Sequence, residues 1–525
     1  MGLLDLMRLM SMQRLRDQER RRRQAQARDG LIASRTKRKG SPCQRDDNSQ
    51  GADLEIHSGP SLPEDIWHQI HSLMPMRDAA RASCASRSFL HSWRCHPNLN
   101  FSKDALGLNE NACQKGESAR FFYNQVDHIL KKHSGIGVKK LKIQIDSDYS
   151  AKDNCYLNKW FRKAVTPGIE ELTLILPCGA KYNFPCSLLS NGSGDSIRYL
   201  HLAGCSFRPR APLGLRSLTR LHLCFVRITG DELGCLLSHS LALERLELKC
   251  CDRIVCLKVP RLLQRLVYLL VSGCADLVIE NEAPNVSSFS FGGDSTVQLS
   301  LGETLQMKSL RMNCSGSVFY ARAELPSSMP NLEALTVHSD IETAYAPMLC
   351  SKFLHLRHLS IGLTGALIFP AYDYLSLVSF FDAAPSLETF NLNVWQRYME
   401  DVSVFADPVD LRQMREVQHH NLRSVKITGF SSAKSLVELT CYVLESILSL
   451  ECLTLEAPQS CLRCSDRDNK SGKCSPLARD ILMEGHRAVM AIRRYIEPRV
   501  PSTVKLHVLE PCSCHAVEVE MPCVS

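Results

Sequence analysis

The chain of 525 residues carries 63 Lys and Arg against 55 Asp and Glu, for a formal net charge of +8, with 44% hydrophobic and 22% charged residues. This balance excludes full-length disorder and a collagen-like fibre and leaves ample apolar surface for a core. Apolar runs such as Leu266 to Val271 fall far short of the 18 or so residues that cross a bilayer, so no transmembrane helix is expected.

The start, MGLLDLMRLM, mixes Asp5 and Arg8 into its apolar residues and has Leu6 where the myristoylation pattern needs a hydroxyl, so neither a secretory signal nor a lipid anchor is expected. The 24 cysteines are accordingly read as reduced thiols that pack as small hydrophobes. From Met1 to Arg45 thirteen Lys and Arg face four Asp and Glu, which leaves a net of about −1 for all the rest. Residues 1–58 read as a disordered basic arm, with clusters at Arg20 to Arg23 and at Arg35, Lys37, Arg38 and Lys39. Their spacing suits a two-part nuclear import signal, phosphate contacts on nucleic acid, or a solvated tail. No aromatic residue interleaves the arginines, which argues against single-strand binding.

Residues 60–101 predict three short helices. Ser61 with Glu64 fits a capping box and Pro63 suits the first turn. Ile66, Ile70 and Leu73 recur at i, i+4, i+7 beside Trp67 until Pro75 ends the stripe. Asp78 is the expected cap of a second helix, and Phe89, Leu90 and Trp93 supply a third. So small a segment needs a partner for its apolar face. Residues 102–136 read as a linker.

From 137 to 459 a unit L-x-x-L-x-L recurs thirteen times, beginning at Val138, Ile169, Ile197, Leu218, Leu243, Leu266, Val286, Met307, Leu332, Leu356, Leu387, Leu422 and Leu450. Most steps are 20 to 29 residues, the period of leucine-rich repeats. Alternation buries the second and third apolar residues of each unit, and stacking lines the concave side of a solenoid with one short parallel strand per repeat. Thirteen strands about 4.8 Å apart imply an inner arc of about 60 Å, enough to grip a protein. The outward row reads Lys142, Thr173, His201, His222, Glu247, Leu270, Ser290 and Arg311, and continues to Thr454. His201 and His222 of this row, with Arg220, Arg245, Lys249, Tyr199 and Tyr268 flanking it, form a candidate surface for an acidic or phosphorylated partner. Arg311 extends that candidate target-binding set. Cys205, Cys251 and Cys274 stand eight residues into their repeats and are expected to be structural.

Residues 460–525 predict a polar loop, a capping helix from Ser475 and Pro476 to about Ile496 with Leu477, Ile481, Val489, Ile492 and Ile496 on one side, and a closing strand through Val504, Leu506 and Val508. Cys461, Cys464, Cys474, Cys512, Cys514 and His515 lack the paired spacing of a strong zinc site, so neither metal nor cofactor is expected. No nucleotide-binding loop, nucleophile elbow or zincin motif is present, and a non-catalytic protein is expected.

Leu62-Pro63, Asp65-Ile66, Ile70, Leu73, Pro75, Arg77-Asp78, Ala82, Ser86-Arg87 and Trp93 resemble an F-box in order. Ala79, Ala80 and Ala85 depart from it, standing where that family has larger aliphatics. With the repeats behind it, the chain resembles the plant F-box/leucine-rich-repeat proteins, some of which carry FBD repeats. The resemblance implies an α/β fold, a short three-helix F-box followed by an irregular leucine-rich-repeat solenoid. It further implies a substrate-receptor subunit of an SCF-type ubiquitin ligase, in the nucleus and/or cytoplasm. Leu62, Pro63, Ile66, Ile70, Leu73 and Trp93 would dock a Skp-type adaptor, and through it a cullin, while the repeats hold an unknown protein target. Neither nucleic acid nor membrane is the expected partner on this reading. The rivals are a non-ligase, possibly nuclear repeat scaffold whose basic arm contacts nucleic acid, and a zinc protein centred on the C-terminal cysteines.

Overall fold

A pair of leucines two residues apart has one buried face and nothing of its own to bury it against, so each repeat depends on its neighbours. In the computed structural model this dependence yields one sheet of fifteen strands, taken in chain order from Asn98–Phe101 to Lys505–Leu509 except where a convex strand intervenes. Every neighbouring pair is parallel. The structure describes residues 63–511 apart from 86, 109–114, 135–136, 147–148, 191, 210–212, 275–276, 294–298, 301–305, 343–351, 365–371, 396–402, 407–410, 413–416 and 459–477. All thirteen expected units form strands of this sheet, and the expected closing strand pairs in register with Cys452–Glu456. The basic arm and the C-terminal cysteines with His515 lie outside the described residues.

A second carbonyl ladder runs beside the strands. The carbonyl of the second residue in each unit accepts two backbone N–H groups from the next repeat, as Glu170 does from Arg198 and Tyr199, and Arg198 does from Thr219 and Arg220. Paired backbone groups at every step fix the register before any side chain is considered.

The layer behind the sheet follows the step length. The 25-residue step from Leu218 contains the helix Gly230–His239, and the 28-residue step from Leu422 contains Lys434–Ser446. In the steps of 23, 20 and 21 residues, from Leu243, Leu266 and Val286, the return path among the described residues carries the strands Cys256–Val259, Val278–Asn281 and Leu299–Ser300, which form a second, three-stranded parallel sheet. A helix rises about 1.5 Å per residue against about 3.3 Å for a strand, so a short connection spans the same return path only when extended. These return strands were not expected from the repeat pattern. At the turn leaving the main strands, Gly204 and Gly273 have positive φ (70° and 66°), and Phe225 and Cys250 take the same left-handed conformation at 51° in the two repeats between them. The stack demands that turn even of residues that disfavour it.

Cys205, Cys251 and Cys274 are buried as expected, and burial pushes the Cys205 and Cys251 thiols up to about 12. Their role is packing and hydrogen bonding: the backbone N–H of Cys251 donates to the Cys274 sulfur at 3.4 Å.

Three helices precede the sheet: α1 (Glu64–Leu73), α2 (Met76–Ala82) and α3 (Arg87–Arg94). Pro63 and Pro75 are the N-caps of α1 and α2, with no side-chain cap bond at either. Asp78 therefore sits inside the first turn of α2 instead of capping it, because a proline lacking an N–H already terminates the chain ahead of the helix. Trp67 and Phe89 pack edge to face at 4.9 Å, joining α1 to α3. Ala79 is fully buried inside the module, so its small size bears on internal packing.

Two boundaries differ from expectation. The sheet begins at Asn98–Phe101, within the segment assigned to the helical module. The supposed linker 102–136 holds the helix Lys115–Lys132, whose Phe122, Val126 and Leu130 are buried at i, i+4, i+8 in the common core, Phe122 against Trp160 of the helix Asn154–Ala164. At the other end the capping helix is Arg479–Ala491 and continues as a π-turn through Ile496; Leu482, rather than the half-buried Ile481, joins Val489, Ile492 and Ile496 in the interior. Ser475, Pro476 and Leu477 lie outside the described residues.

The helical module is tied to the sheet by imidazoles. His96 Nε2 donates to the Met74 carbonyl at 3.3 Å, His133 Nε2 donates to the His96 carbonyl at 3.0 Å, and Asn98 Nδ2 donates to the Ser72 carbonyl at 3.0 Å. Burial holds His71, His96 and His133 below the ordinary imidazole pKa; the charge of His68 adds to the effect on His71, and Lys163 adds to that on His133. A folded pKa below the unfolded value of about 6.5 means that this stabilisation is complete above that pH and is lost as pH falls toward the folded values. The thermal midpoint should therefore drop between pH 7 and 5, and a His96→Gln/His133→Gln variant should show a shallower drop; equal slopes would refute the assignment. In the repeats, Leu246→Ala, at a fully buried position, should cost about 2 to 5 kcal/mol in chemical denaturation.

Candidate functional site

Strand register brings the candidate residues of successive repeats side by side. Thr173, His201, His222, Glu247, Leu270, Ser290 and Arg311 are direct cross-strand partners in one row, as expected. Glu171, Tyr199, Arg220, Arg245 and Tyr268 form the row beside it. Because each side chain sits on an outward pleat position, both rows share the face that the buried leucines avoid.

The rings of His201 and His222 stack at 4.1 Å with 6° between their planes. Arg245 lies 3.8 Å over the Tyr268 ring and donates from Nε to Glu247 Oε1 at 2.7 Å. Lys249 stands 3.7 Å and His222 Nε2 3.9 Å from the second oxygen of Glu247. Of these, His222, Arg245 and Glu247 border an open depression of about 590 Å³, completed by Glu170, Glu171, Arg198, Tyr199, Thr219, Arg220 and Leu221.

Burial, then the charge of His222, pushes His201 down to about 4, and burial lowers His222 as well, against the opposing pull of Glu247. Burial pulls Glu247 upward, yet the Arg245 hydrogen bond and the charges of His222, Arg245 and Lys249 hold it below the usual carboxylate range. Burial and the charges of Glu247 and Glu171 raise Tyr199. At neutral pH the centre of the site is thus a pair of uncharged imidazoles beside an ionised carboxylate. Two expectations change. The histidines bring hydrogen-bonding capacity rather than positive charge, and Arg245 and Lys249 are turned onto Glu247 of their own strand.

Arg311 aligns with the row but lies three strands beyond Glu247 and takes no part in the depression. Arg198 was not among the expected site residues: it occupies the second position of its unit, ahead of the alternating strand positions from which the site was read, and the run of charges at that position in other repeats was the available signal. Glu247→Gln should lower the titration midpoints of both His201 and His222, since the carboxylate raises each, and imidazole NMR titration checks this. Unmoved midpoints would sink the electrostatic account.

On the helical module Pro63, Ile66, Ile70 and Leu73 are all exposed, with Leu73 at 81%. Trp93 departs from that set: it is partly buried against the core and packs on His96 at 5.7 Å, so it anchors α3 to the sheet. Leu62 lies outside the described residues.

Residues 129–513 match a family model described as At1g61320/AtMIF1, LRR domain. Among curated proteins of Arabidopsis thaliana, the chain is 23% identical over 194 residues to F-box protein At5g03100, a stretch covering 37% of this chain and 56% of that one. It is 27% identical over 178 residues to F-box/FBD/LRR-repeat protein At3g51530, covering 33% and 34%. It is 28% identical over 213 residues to F-box/FBD/LRR-repeat protein At5g56420, covering 38% and 46%. The matches thus span from about a third to just over half of these relatives' length. Repeat period, parallel register and a family match running from the end of the helix Lys115–Lys132 through the closing strand agree, and the chain belongs to the At1g61320/AtMIF1 leucine-rich-repeat domain family.

Proposed function

We propose that the protein is the substrate-receptor subunit of an SCF-type ubiquitin ligase, α1 docking a Skp-type adaptor and the concave strand face holding the protein target. The observation that carries the reading is the exposed apolar stripe of α1: Ile66, Ile70 and Leu73 are 37%, 38% and 81% exposed on a helix whose other side packs on α3. Buried helices bring such residues inward, whereas a helix read at i, i+4, i+7 by a partner's groove leaves them out. The names of the Arabidopsis relatives, all F-box proteins, support the module assignment. In this role the chain does no chemistry; it raises the local concentration of target near the transferring enzyme.

Co-purification of the full chain with a Skp-type adaptor should disappear in an Ile66→Asp/Ile70→Asp variant and persist in Arg220→Ala. An adaptor that ignores the α1 substitutions, or never co-purifies, would falsify the ligase reading; steep salt-dependent binding to nucleic acid in its place would favour a scaffold acting through the basic arm.

A further inference from the structure

Charges at the second position of successive units pair off between neighbouring repeats: Lys139 with Glu170 at 3.3 Å, Lys308 with Glu333 at 3.1 Å, Arg357 with Glu388 at 3.8 Å and Arg423 with Glu451 at 3.9 Å. Glu244, in the same row, is taken by Arg265 at 2.7 Å. Arg198 breaks the sequence. Glu170 on one side is already held by Lys139, and on the other side stands Thr219, whose hydroxyl donates to the Arg198 carbonyl at 3.0 Å. The adjacent row repeats the situation: Lys140 holds Glu171 at 2.7 Å and Arg245 holds Glu247 at 2.7 Å, which leaves Arg220 between them without a carboxylate.

Arg198 and Arg220 are both exposed, and among the described residues neither side chain has an ion pair or hydrogen bond. They are one repeat apart, linked by the Arg220 N–H donating to the Arg198 carbonyl at 3.0 Å, and both border the 590 Å³ depression. Beside them His222 Nε2 is buried with no hydrogen-bond partner. Each acid on the same wall already has a cation. The depression therefore presents two unspent guanidinium forks and a spare imidazole nitrogen, with no free carboxylate to repel an incoming anion.

We propose that this depression binds a phosphate monoester carried by the protein target, with Arg198 and Arg220 on its oxygens and His222 Nε2–H donating a further bond. A carboxylate would balance one of the two cations and fill one fork; a phosphoryl group carries close to two charges and three acceptor oxygens, which matches the donor count. The inference rests on the reading of the concave face as the target-binding face and names the mark on the target that it selects.

The test uses the full chain and a degenerate peptide library phosphorylated at a central serine, alongside the unphosphorylated library, its glutamate version and inorganic phosphate. The phosphorylated library should bind and the unphosphorylated and glutamate libraries should not. Arg198→Ala and Arg220→Ala should each weaken binding about tenfold or more, and Arg357→Ala, in the same row but ion-paired, should leave it unchanged. All three arginines are exposed, and unaltered thermal unfolding of each variant confirms the fold. Equal retention of the unphosphorylated library, indifference to both arginine substitutions, or binding of inorganic phosphate without the library would each overturn the proposal. Adaptor co-purification, measured on the same preparations, separates the two readings: phosphate binding lost with adaptor retained removes this inference alone, whereas adaptor lost removes the ligase reading.

Discussion

In-register parallel stacking is the constraint on which the rest of the molecule depends. Each unit places two apolar residues on a strand too short to cover them, and only the neighbouring strands and the layer behind supply the missing surface. The carbonyl of the second residue, accepting two N–H groups from the next repeat, makes that arrangement directional and leaves it little freedom to slip. From Asn98 to Leu509 one continuous apolar core results. The left-handed turns at Phe225 and Cys250 show its strength, since the local conformational penalty is overruled by the repeats on either side.

The same constraint converts chain length into structure. Connections of 25 residues or more have room for a helix, while those of 20 to 23 residues around Leu266 return as extended strands. Helices and return strands contribute to the same core, as Leu233 and Leu257 illustrate, so the solenoid tolerates an irregular period without a break in its sheet. It also extends to the helical module: Met76, His96 and His133 join three short helices to the first strand, which gives a segment too small for its own core something to lean on while leaving the stripe of α1 bare.

Electrostatics on the concave face follow from register as well. Neighbouring repeats bring opposite charges opposite one another, and most are spent in pairs that are exposed and individually weak. Function is most readable where the pairing fails. Around Arg198 and Arg220 the alternation is interrupted by Thr219 and Tyr199, and at that point the face also dips into a depression with an unpartnered imidazole nitrogen.

How much of this was legible beforehand depends on the range of the interaction involved. The thirteen strands, their register and the outward row from Lys142 to Arg311 could be read from the chain because a two-residue alternation inside each unit dictates which side chains are buried, and identical neighbours then align. Burial of Cys205, Cys251 and Cys274 was legible for the same reason. The strand at Asn98 and the helix Lys115–Lys132 that follows it were not, since their units lack the repeat pattern and become recognisable only through the surface they cover. Nor could spacing reveal that Trp93 turns inward, that Arg245 and Lys249 fold back onto Glu247, or that Arg198 has no counter-charge. Local periodicity in the amino-acid order determined the stack; which charges cancel, which imidazoles go dry and which aromatic faces the interior were decided by the surroundings each side chain meets once the repeats have closed on one another, whether its partner is two residues away, as Glu247 is from Arg245, or 31 away, as Glu170 is from Lys139.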